Sequence, residues 1–293
     1  MMLRLLAPTS ISCTTIRKLS QLDLQISRQQ FALEITRKAD VSDARIVEAF
    51  RRVERERFLS EGPWCIGEDG ELSASSKPEF VYQDNVIAIS PKQGITNGLP
   101  SLHARCLSAL APAEGERVFQ VGAGTGYYTA VLAELVGLTG HVHAYEIDGA
   151  LVEQAKTNLQ PWSNVHVSSE SGVTATLESA DVIYVNAGVS SPPRHWFDAL
   201  TIGGRLVLPL VSGSSVGAMW LIVRVPAGFE ATFLCPARFY PCIGAQAEDV
   251  RLSTAYIEGD PQKVKSLRFD EPQNSSCWYG GNGWWLSTLS VAD

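Results

Sequence analysis

The sequence predicts an α/β fold: a doubly wound, mostly parallel sheet of seven strands, with N-terminal helices and a C-terminal extension. Three observations carry this. From Arg117 to Leu210 short apolar runs alternate with segments of helical periodicity, the pattern of a parallel sheet covered by helices on both faces. Val182-Ile183-Tyr184-Val185 and Leu206-Val207-Leu208 are near-continuous apolar runs, as strands buried on both sides require. A strand (Arg117 to Val121), a glycine turn (Gly122-Ala123-Gly124-Thr125-Gly126) and a helix starting at Tyr127 stand in a row.

Element by element, residues 1–22 read as a flexible tail, whose Arg4, Arg17, Lys18 and Ser/Thr content, with no acid before Asp23, also fits an organelle transit peptide. Residues 23–110 form a helical and loop segment covering the pocket. Its helices are Leu24 to Lys38 and Asp43 to Phe58, the second opening on Ser42-Asp43 as cap. Glu61 to Pro78, rich in Gly, Ser, Pro and acids, is a long surface loop and a candidate lid. Val86 to Ile89 is a short strand, and Pro100 to Leu110 a helix.

The core, residues 111–241, alternates strands (Arg117 to Val121, His141 to Ile147, Asn164 to Ser169, Asp181 to Asn186, Arg205 to Leu210) with helices (Tyr127 to Val136, Ala150 to Leu159, Arg194 to Leu200). Met219 to Val225 and Phe229 to Tyr240 read as a β pair around Pro226-Ala227-Gly228. The extension, residues 242–293, holds a helix (Ala245 to Tyr256), a strand (Val264 to Phe269) and an aromatic, glycine-rich end from Cys277 to Trp285. The clustered tryptophans suit either a hairpin packed on the sheet, the favoured reading, or a platform that stacks a ligand.

Composition narrows the function. The 293 residues are 45% hydrophobic and 19% charged, enough to bury a sizeable core. A net charge of −7 with no basic run argues against nucleic acid or an anionic membrane as partner. No apolar run reaches membrane-spanning length. The six cysteines are scattered, without C-x-x-C or a His at zinc-ligand spacing, so they read as reduced thiols of a cytoplasmic protein and no metal site is expected.

The turn's glycines run G-x-G-x-G, whereas a dinucleotide pyrophosphate site wants G-x-G-x-x-G and a third glycine where Tyr127 stands. Glycines bring the backbone close to a ligand, and the following helix directs its positive dipole end at the same place. Such a turn suits a compact charged amino-acid end, as in S-adenosyl-L-methionine. About 20 residues on, where a βαβ unit places its ribose-binding acid, His141 to Tyr145 runs into Glu146. Its carboxylate is suited to accept from both ribose hydroxyls.

Arg45-Ile46-Val47-Glu48-Ala49-Phe50, Arg55-Glu56-Arg57-Phe58, Leu102-His103-Ala104, the glycine turn with Val121 and Tyr127, Glu146, the segment Asp181 to Pro193 and Gly203-Gly204-Arg205-Leu206-Val207-Leu208-Pro209 together resemble the protein-L-isoaspartate O-methyltransferase family. The resemblance runs from about Arg45 to Leu210. It implies the Rossmann-like fold of class I methyltransferases, S-adenosyl-L-methionine as cofactor, and protein repair: methylation of the carboxylate of isoaspartyl residues in damaged proteins or peptides. Gly122, Ala123, Gly124, Thr125 and Gly126 would meet the cofactor's amino-acid end, Glu146 and Ile147 the ribose side, Ser171-Gly172 the adenine, and Asn186 would line the methyl.

Two departures stand out. Where the family places a serine hydroxyl against the acceptor, an ungapped match puts Gly98. That leaves Thr96 and Asn97 as the candidate catalytic donors, with Ser101 at the helix start as another. Where the family has Gly-Asp-Gly at the adenine, this chain has Glu170-Ser171-Gly172. Rival readings are a nucleobase N-methyltransferase, on Ser191-Pro192-Pro193 but with Arg194 in place of the stacking aromatic; a hydroxyl methyltransferase using His103 or His195 as base; a non-catalytic cofactor-binding relative; and a dehydrogenase.

Overall fold

A computed structural model describes residues 13–67, 69–212, 217–245 and 250–292, with side chains from residue 21 onward except that of Val250. Helix α1 (Cys13–Lys38) begins well before the expected Leu24; residues 1–12 of the expected tail lie outside the described residues. Helix α2 (Ala44–Arg52) is capped by Asp43, whose side chain accepts from Arg45 N–H. It stops short of the expected Phe58 because Val53 turns extended and a separate 3₁₀ turn, Arg55–Phe58, follows. The loop expected over Glu61 to Pro78 carries a small hairpin, β1 (Cys65–Ile66) with β2 (Glu71–Leu72). A second hairpin, β3 (Ala88–Ser90) with β4 (Ile95–Thr96), precedes α3 (Pro100–Leu110), whose Pro100 lies in the first helical turn, where a missing N–H costs nothing.

The core follows as expected: β5 (Arg117–Val121), α4 (Tyr127–Val136), β6 (His141–Tyr145), α5 (Gly149–Asn158), β7 (Val165–Ser168), β8 (Ala180–Val185), α6 (Arg194–Ala199) and β9 (Leu200–Val211). β10 (Gly217–Val225) and β11 (Gly228–Pro236) pair antiparallel; the second ends at Pro236 rather than Tyr240. After α7 (Val250–Glu258) come β12 (Ser266–Phe269), β13 (Cys277–Gly280) and β14 (Trp284–Ser287). Residues 246–249 of the helix expected from Ala245 lie outside the described residues.

The ten-stranded sheet has the order β13-β14-β12-β11-β10-β9-β8-β5-β6-β7. The expected seven strands are β5 to β11, parallel from β9 to β7, and the extension adds three antiparallel strands to their edge. Each core strand sends alternate residues to opposite layers: Val118, Val182 and Tyr184 pack with α1 to α5, while Phe119, Val121, Ile183 and Val185 pack with α6 and α7. The tryptophan-rich end is a packed hairpin: Trp284 and Trp285 are buried, and Trp278 sits between Tyr256 and Trp220, ring centroids 5.3 and 5.5 Å away.

Candidate active site

A cleft of about 1620 Å³ opens at the carboxyl ends of β5, β6 and β8, larger than small-molecule pockets usually are, so a nucleoside cofactor leaves room for an acceptor. The β3–β4 hairpin and Phe239-Tyr240 form its other wall. The loop Glu61 to Pro78, the expected lid, contributes no described residue to this cleft. It packs beside the 3₁₀ turn, with Trp64 N–H bonded to Ser73 and Trp64 Nε1 to Ser60 O.

The glycine turn works differently from the sequence expectation. Gly122 and Ala123 donate their N–H groups to Tyr145 O (2.9 and 3.1 Å), and Gly124 donates to Glu146 Oε2 (2.8 Å). Those donors are engaged within the chain, so the turn presents bare backbone, space, and the open N-terminus of α4. Gly126 has φ +94°, and a Cβ there would come 2.7 Å from Leu159 Cδ1; only glycine fits. Thr125 faces inward, donating to Phe58 O at 2.6 Å, while its own carbonyl accepts from Asn158 Nδ2. Thus Thr125 ties the turn to the N-terminal segment.

Glu146 is buried at the cleft floor. Gly124, Ile147 and Asp148 donate three backbone N–H groups to its carboxylate (2.8, 2.8 and 3.0 Å), which fixes the carboxylate's orientation before any ligand enters. Ile147 beside it is 53% exposed, an apolar ledge on the cleft rim. Across from it, Gly172 lies so close on β5 that a Cβ would meet Val121 Cγ2 at 2.8 Å, and Ser171 Oγ accepts from Val173 N–H at 3.3 Å. Glu170 is exposed and also lines the cleft. At the end of β8, Asn186 donates its backbone N–H to Val121 O, and its Oδ1 is buried with no partner. A buried amide oxygen without a partner has room to accept from one more N–H or O–H donor.

On the acceptor side, Thr96 is exposed and its hydroxyl accepts from Gly98 N–H at 3.3 Å. Asn97 is buried; its Oδ1 accepts from Arg55 Nη2 (3.0 Å) and Ile87 N–H (3.2 Å), and its Nδ2 has no partner. Both residues line the cleft. Ser101 does not; its N–H bonds to Asp84, and its position at the start of α3 turns it away. His195 and Ser191-Pro192-Pro193 also lie away from the cleft, Ser191 bonding through its N–H to Ala245 O. Two residues the sequence reading undervalued are central here. Arg55, fully buried, donates to Val81 O, Gln83 O, Asn85 O and Asn97, tying the 3₁₀ turn to the hairpin. His103 faces the cleft from α3, its ring stacked on Tyr128 at 3.5 Å. Burial, reinforced by the Arg55 charge, pushes its pKa down to about 3, so it is neutral at pH 7.

A parallel doubly wound core, a glycine turn without the pyrophosphate glycine and a fixed acid on the second strand define a class I methyltransferase. Comparison with known proteins makes this specific. Residues 27–244 match the family model of protein-L-isoaspartate(D-aspartate) O-methyltransferase. A protein-L-isoaspartate O-methyltransferase of Ignicoccus hospitalis is 31% identical over 202 residues, 68% of this chain and 88% of its own length. That of Methanothrix thermoacetophila is 36% identical over 174 residues, 58% of this chain and 75% of its own. A solved protein-L-isoaspartate O-methyltransferase superposes with TM-score 0.64 at 26% identity, covering 83% of this chain and 72% of that one. A candidate protein-L-isoaspartate O-methyltransferase of Plasmodium falciparum, solved with S-adenosyl-L-homocysteine, shares the fold with TM-score 0.61 at 20% identity, covering 73% of this chain and 97% of that one. The chain belongs to the protein-L-isoaspartate(D-aspartate) O-methyltransferase family. Residues 245–293 lie beyond the family match.

Proposed function

We propose that this chain methylates the carboxylate of L-isoaspartyl residues in damaged proteins and peptides, using S-adenosyl-L-methionine. The observation that carries the reading is the pairing of a preset carboxylate, Glu146, with an unpartnered buried carbonyl, Asn186 Oδ1, on the floor of a cleft in a sheet of this family. A diol and an amino-acid ammonium are the groups those two acceptors need, and S-adenosyl-L-methionine carries both. Ile147, Gly172 and Val173 offer the apolar slot for its adenine.

When bound, S-adenosyl-L-methionine supplies a methyl on a sulfonium sulfur, which keeps the electron pair of the broken C–S bond and becomes a neutral thioether. The acceptor carboxylate is ionised at pH 7 and forms the new O–C bond without losing a proton, so the protein needs no general base. What the chain must supply is position and dryness: the hairpin closes one side, the glycine turn the other, and holding the oxygen in line with the methyl is worth several kcal/mol, up to about 7–11 in well-oriented systems. Cytoplasmic residence is part of this reading. The described cysteines, Cys65, Cys106, Cys235, Cys242 and Cys277, are all free, as a reducing compartment keeps them. Among the described residues no helix is long and apolar enough to cross a membrane.

The test is transfer of tritiated methyl from labelled cofactor to an isoaspartyl peptide, with the normal aspartyl peptide as control. Base-labile label on the isoaspartyl peptide alone is expected. Equal labelling of both peptides, or cofactor binding without transfer, would overturn the proposal.

A further inference from the structure

We propose that His103 is the residue that grips the acceptor carboxylate, through an Nε2–H directed into the space beside Gly98. This rests on the reading of the cleft as a methyl-acceptor site, but its evidence is separate. A Cβ built on Gly98 would lie 2.2 Å from His103 Nε2 and 2.9 Å from its Cδ2. The imidazole edge therefore fills the place where a side chain at position 98 would project, and Gly98, with φ +74°, is the residue that makes room for it. His103 is only 2% exposed, yet it lines the cleft, and its Nε2 has no hydrogen-bond partner among the described residues. Nε2 is therefore free to bond what enters the cleft.

The partner of the other ring nitrogen bears on which form of the imidazole is present. Nδ1 lies 2.6 Å from Tyr184 Oη. Tyr184 is fully buried in β8, and burial raises its pKa well above the ordinary value, so it keeps its proton. Cys106, likewise buried and held as a thiol, is within hydrogen-bonding reach of the same hydroxyl. Either Tyr184 Oη or His103 Nδ1 can donate in that bond; with Tyr184 as donor, the tautomer the proposal requires, the single imidazole proton sits on Nε2, facing the cleft. Stacking on Tyr128, ring planes 9° apart, and the edge of Phe239 at 6.4 Å hold the ring in this pose. His103 donates a hydrogen bond and transfers no proton.

Thr96 and Asn97 then have different tasks. The Asn97 carbonyl is spent on Arg55 and Ile87 and shapes the hairpin, its unpartnered Nδ2 remains a second donor on the same wall, and Thr96 stabilises the Gly98 turn.

The experiment compares wild type, His103→Phe and His103→Gln by kcat/KM for an isoaspartyl peptide and by calorimetric Kd for S-adenosyl-L-homocysteine. Phenylalanine keeps the ring stack and removes the donor. His103→Phe is expected to lower kcat/KM about 10- to 150-fold, the loss of one hydrogen bond to a charged group, with the Kd unchanged. His103→Gln, which restores an N–H donor, should recover most of that loss. Wild-type kcat/KM in His103→Phe overturns the proposal while leaving the repair function standing; a wild-type chain that methylates no isoaspartyl peptide overturns both. Because Phe leaves Tyr184 without its partner, a measurement on the unaltered chain decides the matter if the variant misfolds. With ¹⁵N-labelled histidine, NMR should show His103 neutral and protonated at Nε2, its signal shifting when the peptide joins the S-adenosyl-L-homocysteine complex. A proton on Nδ1, or no peptide-induced shift, overturns the proposal.

Discussion

Replacing Glu146 by alanine removes the acceptor proposed for the cofactor's ribose. In the folded chain the carboxylate is held by Gly124, Ile147 and Asp148 N–H groups at 2.8–3.0 Å, so a ligand meets it in a single orientation and no ordering cost is left for binding. Hydrogen bonds to a charged acceptor are worth about 1.5–3 kcal/mol, which converts to a cofactor Kd about 10- to 150-fold weaker in Glu146→Ala. Water re-solvates the three freed N–H groups in the open cleft, and Gly122 and Ala123 still hold the turn to Tyr145 O, so the fold should persist. Glu146→Gln, neutral but retaining one acceptor oxygen, should fall between wild type and alanine. Isothermal titration with S-adenosyl-L-homocysteine reads the effect without turnover, and circular dichroism confirms folding. A Kd within about two-fold of wild type in folded Glu146→Ala would refute the reasoning and remove this residue from the site.

Arg55→Met removes four side-chain hydrogen bonds from a fully buried site and should cost at least about 3 kcal/mol in urea unfolding; an unchanged midpoint would deny Arg55 its role as the hairpin's anchor. Tyr256 Oη accepts from Trp220 Nε1 (2.8 Å) and donates to Leu210 O (2.9 Å), so Tyr256→Phe should lose about 1–3 kcal/mol of stability while leaving cofactor Kd unchanged. His103 also predicts an acid response. Its pKa falls from the ordinary 6.5 to about 3 on folding, so between those values the unfolded chain binds the extra proton. The stability present above pH 6.5 is therefore lost progressively as pH drops towards 3, by about 2 kcal/mol already at pH 5. Denaturant midpoints at pH 7 and 5 should differ less in His103→Gln than in wild type, and equal differences would argue against a neutral, buried ring.

The sheet was legible in the sequence because each strand is a local pattern. Val182 to Val185 is apolar throughout and proves to be central, while β5 and β8 alternate layers as a period of two demands. The glycine turn and Glu146 were legible because their spacing is set by one βαβ unit. What escaped was assembled by contacts far apart in the chain. Arg55 reads as one more cation on an amphipathic helix, and only its carbonyl partners between Val81 and Asn85 give it a role. His103 reads as a candidate base or as an ordinary packed or surface histidine; the missing signal was that Gly98 vacates the space at its Nε2. The extension's strand and its tryptophan hairpin were legible as local patterns too; what no local pattern carries is that they pair onto β11 and widen the sheet to ten strands.

The acceptor side also explains why a neutral imidazole beside a buried cation suits this chemistry. The hydrogen-bond acceptors of the Arg55 guanidinium, Val81 O, Gln83 O, Asn85 O and Asn97 Oδ1, are uncharged, and the Asp84 carboxylate acts on its charge without bonding to it. Burial first and the Arg55 charge second lower the proton affinity of His103, and the same potential favours an anion entering beside it. A protonated histidine would bind the acceptor carboxylate more tightly but would equally stabilise it as an unreactive anion, whereas methyl transfer turns that anion into a neutral ester. A neutral N–H orients the oxygen while withdrawing less of its charge, and so holds the acceptor without blunting its attack.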